Sequence, residues 1–557
     1  MTPRLVAAKL TMPVASSSDF EKRSRPATLA APQQFLIFAL FFAGLMLLHA
    51  PLLRLPYFWD EAGYYVPAAR DLYLTGALIP QSAPSSLHPP LIMAWLALAW
   101  RIAGYSTLVT RTTMLAVAAF SLLGMFRLSR AAANASIAWA TTALVALYPV
   151  FFTQSSLAQV DLAAAGFTFW GLLAYIEDNP WKQVFWFSAA ALTKETAIVA
   201  AVALLAWQIA LAIVPQIRRR FPDLAIPQGR RTRMVHLLLP IIPLVVWFGF
   251  HYAKTGHVFG SPEFFQYNVA ATLNPLRIPL AFVLRCWQVC GYLGLYLLTL
   301  AGLLALWRRP QVENGIPRPR IAIWQQAAFA AILLAYLLFM SAVGGAVLAR
   351  YLLPVVPLVI LVWVATLWRR ARYWKLLVGA VAIAFVAALF TNPPYGFSLE
   401  DNLAYRDYII LHAEASRFLS MRDPSVRVLT AWPASDELTR PWLGYVAHPF
   451  PVVRIDDFSA VQIALASLAR GQFNVALVFS TKYQPPHPLL EDWAAWQSLK
   501  ERFFGYHHDL LPDEIAKRLG GRILYHKELN GQWIAIISLD EDKPQEARID
   551  SLPEIER

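Results

Sequence analysis

Runs of about twenty consecutive apolar residues recur along this chain, as at 35–53, 196–215 and 321–343, and a helix of that length just crosses the hydrocarbon core of a bilayer. One soluble core cannot hide so many of them. Of the 557 residues, 57% are hydrophobic and only 15% are charged, far from the balance of a water-soluble globule. The chain reads as a polytopic α-helical membrane protein. Spans are expected at about 35–53, 108–127, 134–153, 158–176, 183–194, 196–215, 234–252, 280–307, 321–343, 350–368 and 373–391, about eleven in all. Residues 34–391 thus form a membrane domain, preceded by a polar tail, 1–33, and followed by a segment, 392–557, in which charge becomes frequent.

The net charge of +13 lies mostly in the short links between apolar runs, which is a topology signal and not a nucleic-acid surface. With the tail in the cytoplasm, the cytoplasmic links hold Arg127 and Arg130; Lys182; Arg218, Arg219, Arg220, Arg230, Arg231 and Arg233; Arg308, Arg309, Arg318 and Arg320; and Arg369, Arg370, Arg372 and Lys375. An odd number of spans then exports both the first loop, 54–107, and the C-terminal segment. The expected location is the bacterial cytoplasmic (inner) membrane, with the first span an uncleaved signal anchor. The apolar stretch 89–103 is short and interrupted by Arg101; counted as a span it would put Arg218 to Arg233 outside, so it is expected to lie in the interface. The preceding stretch repeats apolar residues at helical spacing from Ala62 to Tyr73, with Pro67 kinking the helix or delaying its start. Cys286 and Cys290, one helical turn apart in an apolar run, make neither a disulfide framework nor a zinc site.

The stretch richest in chemistry is Tyr57-Phe58-Trp59-Asp60-Glu61-Ala62-Gly63-Tyr64-Tyr65, followed by Leu87-His88-Pro89-Pro90-Leu91. Ionisable residues at membrane depth follow: Asp161 in Ala158-Gln159-Val160-Asp161, Lys194 in Leu192-Thr193-Lys194, and Arg350 in Arg350-Tyr351-Leu352-Leu353-Pro354. Such residues usually face a cavity. Each also has a plainer reading. Asp60 and Asp161 suit helix N-termini, Lys194 and Glu195 suit a structural ion pair, Arg350 suits snorkelling, and His88 before proline suits a helix start.

In their order, over roughly residues 30–390, these motifs resemble the GT-C glycosyltransferases, especially the protein O-mannosyltransferases and lipid A aminoarabinose transferases. The resemblance implies inverting transfer of a sugar from a polyprenyl-phosphate lipid at the outer membrane face, with the first-loop aspartate near the acceptor, which is a protein, a lipid or a polysaccharide. An acceptor hydroxyl needs a base to take its proton, for which Asp60 is the candidate, with Glu61 beside it for orientation or capping. The phosphate leaving group needs cations more than an acid; His88, Lys194 and Arg350 are the candidates, with Asp161 and Tyr351 also on the substrate side. Where the aminoarabinose transferases carry lysine before Pro-Pro, this chain has His88, only partly charged at neutral pH.

No glycine-rich phosphate loop stands between a strand and a helix, so a nucleotide-sugar or ATP site has no support; no cofactor is certain, and a divalent metal is left open without a motif to support it. His257, Glu263 and Tyr267, in the loop 252–278, suit the acceptor side better than a metal, whose ligand spacing they lack. A transporter of lipid-linked saccharides is the competing reading, but it would favour two similar halves, and here the acidic pair sits in one asymmetric loop. Beyond residue 391, strands are expected at 426–430, 452–455, 475–480, 522–525 and 533–538, with helices between most of them and a hairpin at Asn530-Gly531. That pattern predicts a soluble α/β domain with a mainly parallel sheet. Its pairs Asp436-Glu437, Asp456-Asp457 and His507-His508 read as solvated.

Overall fold

The computed structural model describes residues 29–539 apart from 228, 263–264, 267–268, 270–271, 423–425 and 486–492. The tail up to residue 28, the chain beyond 539, Glu263, Tyr267 and the side chain of Arg218 lie outside the described residues. Helix meets each expected span: Ala31–Leu48, Thr107–Ala132, Ala135–Leu147, Asp161–Ile176, Pro180–Thr193, Ile198–Ile213, Ile241–Thr255, Arg277–Cys290 continued by Leu295–Leu306, Ile323–Ala342, Val356–Arg370 and Trp374–Phe390. Six stretches among the described residues are long and apolar enough to cross a bilayer: Ala31–Leu48, Thr107–Ala132, Glu195–Ile213, Met234–Thr255, Arg277–Leu306 and Ile323–Ala342. Local chemistry cuts others short. Pro149, for example, separates Ala135–Leu147 from the turn Pro149–Gln154, because its ring cannot sit inside a continuing helix.

Contacts between the basic links gather them at one end of the bundle. Arg127 bonds Gln34 at 2.8 Å and Glu177 at 3.2 Å, Arg230 pairs with Asp178 at 3.5 Å, Arg320 pairs with Asp223 at 3.0 Å, and Arg369 donates to the Arg318 carbonyl at 3.0 Å. At the other end lies the first loop. It carries two helices, Val66–Thr75 and Leu91–Ala103, which touch through the edge-to-face pair Tyr73–Trp100, with ring centroids 6.1 Å apart. The second has 13 residues, about 20 Å of helix against a hydrocarbon core of roughly 30 Å. Pro67 falls in the first turn of its helix, where a missing N–H costs nothing. A wide turn, Glu61–Tyr65, precedes it and is closed by the Val66 N–H on the Glu61 carbonyl.

The C-terminal domain is built on five strands, β1 Val428–Ala431, β2 Val452–Ile455, β3 Val475–Phe479, β4 Arg522–Leu529 and β5 Gln532–Ser538, in the order β2-β1-β3-β5-β4. β1 runs parallel to β2 and β3, whereas β5 runs antiparallel to β3 and β4. The sheet is therefore mixed and not mainly parallel. The expected hairpin is the reason: Asn530 and Gly531 both have positive φ, +49° and +79°, as a tight two-residue turn demands, and it folds β5 back against β3. The helix Ala404–Arg422 turns Tyr405, Tyr408 and His412 into the core.

This domain sits directly on the first loop. Tyr57 N–H donates to the Leu443 carbonyl at 3.3 Å, Tyr445 Oη to the Tyr57 carbonyl at 3.0 Å and Tyr105 Oη to the Trp442 carbonyl at 2.8 Å. Trp432 covers Gly63 so closely that a Cβ there would lie 2.7 Å from its ring.

Candidate active site

Trp59 has φ +44°, a left-handed backbone that costs a bulky residue energy and is kept only where neighbours enforce it. The neighbours are aromatic: Tyr408 and Trp432 hold the Trp59 ring at 5.5 and 5.4 Å. Beyond this reversal the two acids point into different surroundings. Glu61 is fully buried. Its carboxylate accepts from both terminal nitrogens of Arg111, one at 3.0 Å, and from the amides of Phe58, at 2.9 Å, and Ala158. Arg111 is itself 1% exposed and also donates to the carbonyls of Ser156, at 2.9 Å, and Pro56, at 3.0 Å. Both partners are thus well supplied with hydrogen bonds, and together they tie the first loop to the helix Thr107–Ala132.

Asp60 joins a second network, centred on Arg350. That guanidinium binds the carboxylates of Asp60 and Glu400 directly, lies 3.3 Å from Asp161 through Nε, and donates to Gln159 Oε1 at 2.7 Å. Gln159 Nε2 returns a bond to Glu400 Oε2 at 3.0 Å. Lys194 bonds Asp161 and sits 3.9 Å from the centre of the Tyr351 ring. Solvent reaches these groups unequally: the Asp60 side chain is 21% exposed, against 2% for Asp161 and Arg350 and 4% for Glu400. Asp60 is the open mouth of an otherwise closed ion network.

The folding of each segment explains how the charges meet. The helix Pro180–Thr193 ends on Lys194, which is extended at φ −147°, and a fresh turn begins at Glu195. That break sends Lys194 to Asp161 and Glu195 to His88 Nδ1, 2.8 Å away. Lys194 and Glu195 therefore each pair with another segment. His88 also stacks on Tyr65, with ring centroids 5.8 Å apart. Asp60 stands at an N-cap position without a side-chain cap bond, Asp161 opens its helix in the first turn and bonds Lys194, and Arg350 is buried, so capping does not describe Asp60 nor snorkelling Arg350.

The structure thus brings Asp60, Asp161, Lys194, Arg350 and Tyr351 into one cluster, reaches His88 through its neighbour Tyr65 and the Lys194-Glu195 break, and sets Glu61 apart with Arg111. Four members went unremarked in the sequence. Arg111 and Arg285 were there to be noticed as lone charges inside apolar runs, and Gln159 belongs to the quoted motif. Glu400 carries no local signal. Arg285 is fully buried and bonds the Leu348 and Met340 carbonyls at 2.6 and 3.3 Å and Gln288 Oε1 at 2.8 Å, 5.6 Å from the Tyr351 ring. Among the described residues no carboxylate pairs with it, and its Nη2 has no hydrogen-bond partner. No group of three or more histidine, cysteine or acidic side chains among the described residues is arranged to hold a metal ion.

Next to Glu400, Asp401 is buried, with Oδ2 accepting from Tyr292 Oη at 2.6 Å and Oδ1 without a hydrogen-bond partner among the described residues. Burial, and then the Glu400 charge, push its pKa up to about 7. An aspartate that keeps its proton so far above the unfolded range stabilises the fold fully at acid pH, and that contribution is lost as the pH rises through about 7. Asp401→Asn is expected to raise the thermal unfolding midpoint by several degrees near about pH 8, a gain that shrinks toward about pH 4. A constant difference across that range would contradict it.

No family model matches the chain, and no curated protein matches it. Among solved structures it is similar to ArnT from Cupriavidus metallidurans bound to undecaprenyl phosphate, with a TM-score of 0.52 at 13% identity, over 93% of this chain and 100% of that one. The fold is that of the GT-C membrane glycosyltransferases. This chain is an integral membrane protein of that architecture. More distant likenesses are to AglB, the archaeal oligosaccharyltransferase of Archaeoglobus fulgidus in complex with an inhibitory peptide and a dolichol-phosphate, and to the arabinofuranosyltransferase AftD from Mycobacteria. For AglB the TM-score is 0.41 at 12% identity over 91% of this chain and 75% of that one; for AftD it is 0.42 at 14% over 93% and 40%. Nothing further rests on these two.

Proposed function

We propose that the chain is an inverting glycosyltransferase that moves a sugar from a polyprenyl-phosphate lipid to an acceptor hydroxyl at the external face of the bacterial cytoplasmic membrane. The observation that carries this reading is the Arg350 network, in which one carboxylate, Asp60, meets solvent while the cations behind it stay buried. Asp60 takes the acceptor proton from the open side as the hydroxyl attacks the anomeric carbon. The bond from that carbon to the phosphate oxygen breaks, and the phosphate leaves with the electron pair. Only interactions that strengthen as charge develops on that phosphate speed the step.

Lys194 and Arg350 are already engaged by carboxylates, so the phosphate needs a further cation. Arg285 supplies it: a guanidinium at membrane depth that no carboxylate among the described residues pairs with leaves its charge for an anion. Tyr351 lies beside both Lys194 and Arg285 and lines the same place. In this reading Glu61 positions the loop, and His88, Asp161 and the Lys194 ammonium shape the donor side. The gathering of the basic links at the end opposite Asp60 supports a cytoplasmic assignment for that end.

The test is a reconstituted assay with a panel of polyprenyl-phosphate sugars, reading release of polyprenyl phosphate. Turnover of one donor with inversion at the anomeric carbon is expected, and Arg285→Gln should raise the donor KM at least tenfold. Silence from folded protein toward every donor, together with passage of labelled lipid across proteoliposomes, would replace the transferase with a transporter.

A further inference from the structure

Glu400 comes from the turn Leu399–Asp401, at the start of the C-terminal domain, yet its carboxylate is 4% exposed and lies inside the membrane domain's ion network. Two contacts hold it there, the Arg350 guanidinium and Gln159 Nε2 at 3.0 Å. Arg350 is thereby shared among Asp60, Asp161 and Glu400. This sharing has a chemical consequence. A carboxylate held alone by a guanidinium is a poor base, because the cation favours its charged form. A second carboxylate on the same guanidinium weakens that hold and adds its own repulsion.

We propose that Glu400 is a positioning residue of the transfer site, which shares Arg350 with Asp60 so that Asp60 remains basic enough to take the acceptor proton. The C-terminal domain then completes the membrane site instead of merely covering it. The assignment rests on the glycosyl-transfer reading and adds to it a residue outside the membrane domain. Charged and titratable groups reach this point from every side: Asp60 and Tyr65 from the first loop, Asp161 from its helix, Lys194 from the break after Thr193, Tyr351 next to Arg350, and Asp401 on the same turn. Burial, opposed by Arg350 and reinforced by Asp60, raises the pKa of Glu400 itself. Its charge in the working enzyme therefore depends on Arg350 staying in place.

The experiment compares wild type, Glu400→Gln and Glu400→Asp in the full-length reconstituted enzyme, measuring kcat, donor KM and the kcat/KM profile between about pH 5 and pH 9. Glu400→Gln is expected to lower kcat about tenfold with donor KM nearly unchanged, and to move the acid limb of the profile to lower pH by roughly half a unit or more. Glu400→Asp, which keeps the charge but draws it back by one methylene, should shift the limb the same way by less. It also serves as the readout if the glutamine variant fails to fold. A limb that stays at the wild-type position in a folded variant, whether kcat falls or not, overturns the assignment and leaves Glu400 a structural tether. If wild type itself releases no polyprenyl phosphate from any donor, the transferase reading falls first and this assignment with it.

Discussion

Asp60→Asn is expected to lower kcat by roughly 10²- to 10⁴-fold, the usual worth of a positioned general base, while donor KM changes little. Asparagine has the shape of aspartate and still offers Arg350 an oxygen, so the loop and its ion network should survive the change. What it loses is the ability to accept a proton. The side chain is 21% exposed, and Arg350 keeps Glu400 and Asp161 as ionic partners when the Asp60 charge is gone, so the variant should still fold and elute like wild type. kcat in folded protein is the quantity to measure, at donor saturation and with detergent-purified enzyme checked by size exclusion. Turnover within a factor of about three of wild type would remove Asp60 from proton transfer. The deprotonation would then fall to another group or to the acceptor itself.

The second large effect concerns stability. Glu61→Ala leaves the Arg111 guanidinium buried without its carboxylate and strands the amides of Phe58 and Ala158. Breaking one side of a buried pair typically costs about 3–5 kcal/mol, so the thermal midpoint in detergent should fall sharply and the yield with it. Glu61→Gln combined with Arg111→Met removes both charges and keeps an acceptor for one of the two amides, and should recover part of the loss. Kinetics on that double variant separate positioning from chemistry. Substantial turnover per folded molecule is expected; a normal midpoint with no turnover would move Glu61 into the reaction.

What the sequence disclosed depended on how conspicuous each residue was against its surroundings. Asp161, Lys194 and Arg350 stand out because a charge in an apolar run is costly and so has a reason, and the structure gathers all three. Arg111 has the same property, but it lies at the edge of an expected span, where a basic residue also reads as a topology mark. Glu400 had no such contrast. It stands beside another acid in a polar stretch, and only the folding of residues 392–403 back onto the bundle carries it to Arg350.

The sheet teaches the same lesson at another scale. The Asn530-Gly531 turn was legible because its chemistry is local, and four of the five strands were placed to within a few residues. Strand order depends on distant pairing, and the insertion of β5 beside β3 left no mark within either segment. Span counting met a comparable limit. Hydropathy located a helix for every expected crossing, but helix length follows from prolines, glycines and caps, and among the described residues six stretches reach full spanning length.

The contact between Trp432 and Gly63 bears on how such a protein can be rebuilt. A single methyl at position 63 would collide with the indole, so the loop and the domain above it are cut to one another atom by atom. A chimera that borrows its C-terminal half from a distant homologue will therefore misfit at this seam unless the glycine and the tryptophan travel together. For anyone exchanging parts between proteins of this fold, the unit of exchange is the pair of segments 57–65 and 399–445, not the domain that ordinary modular thinking would cut out.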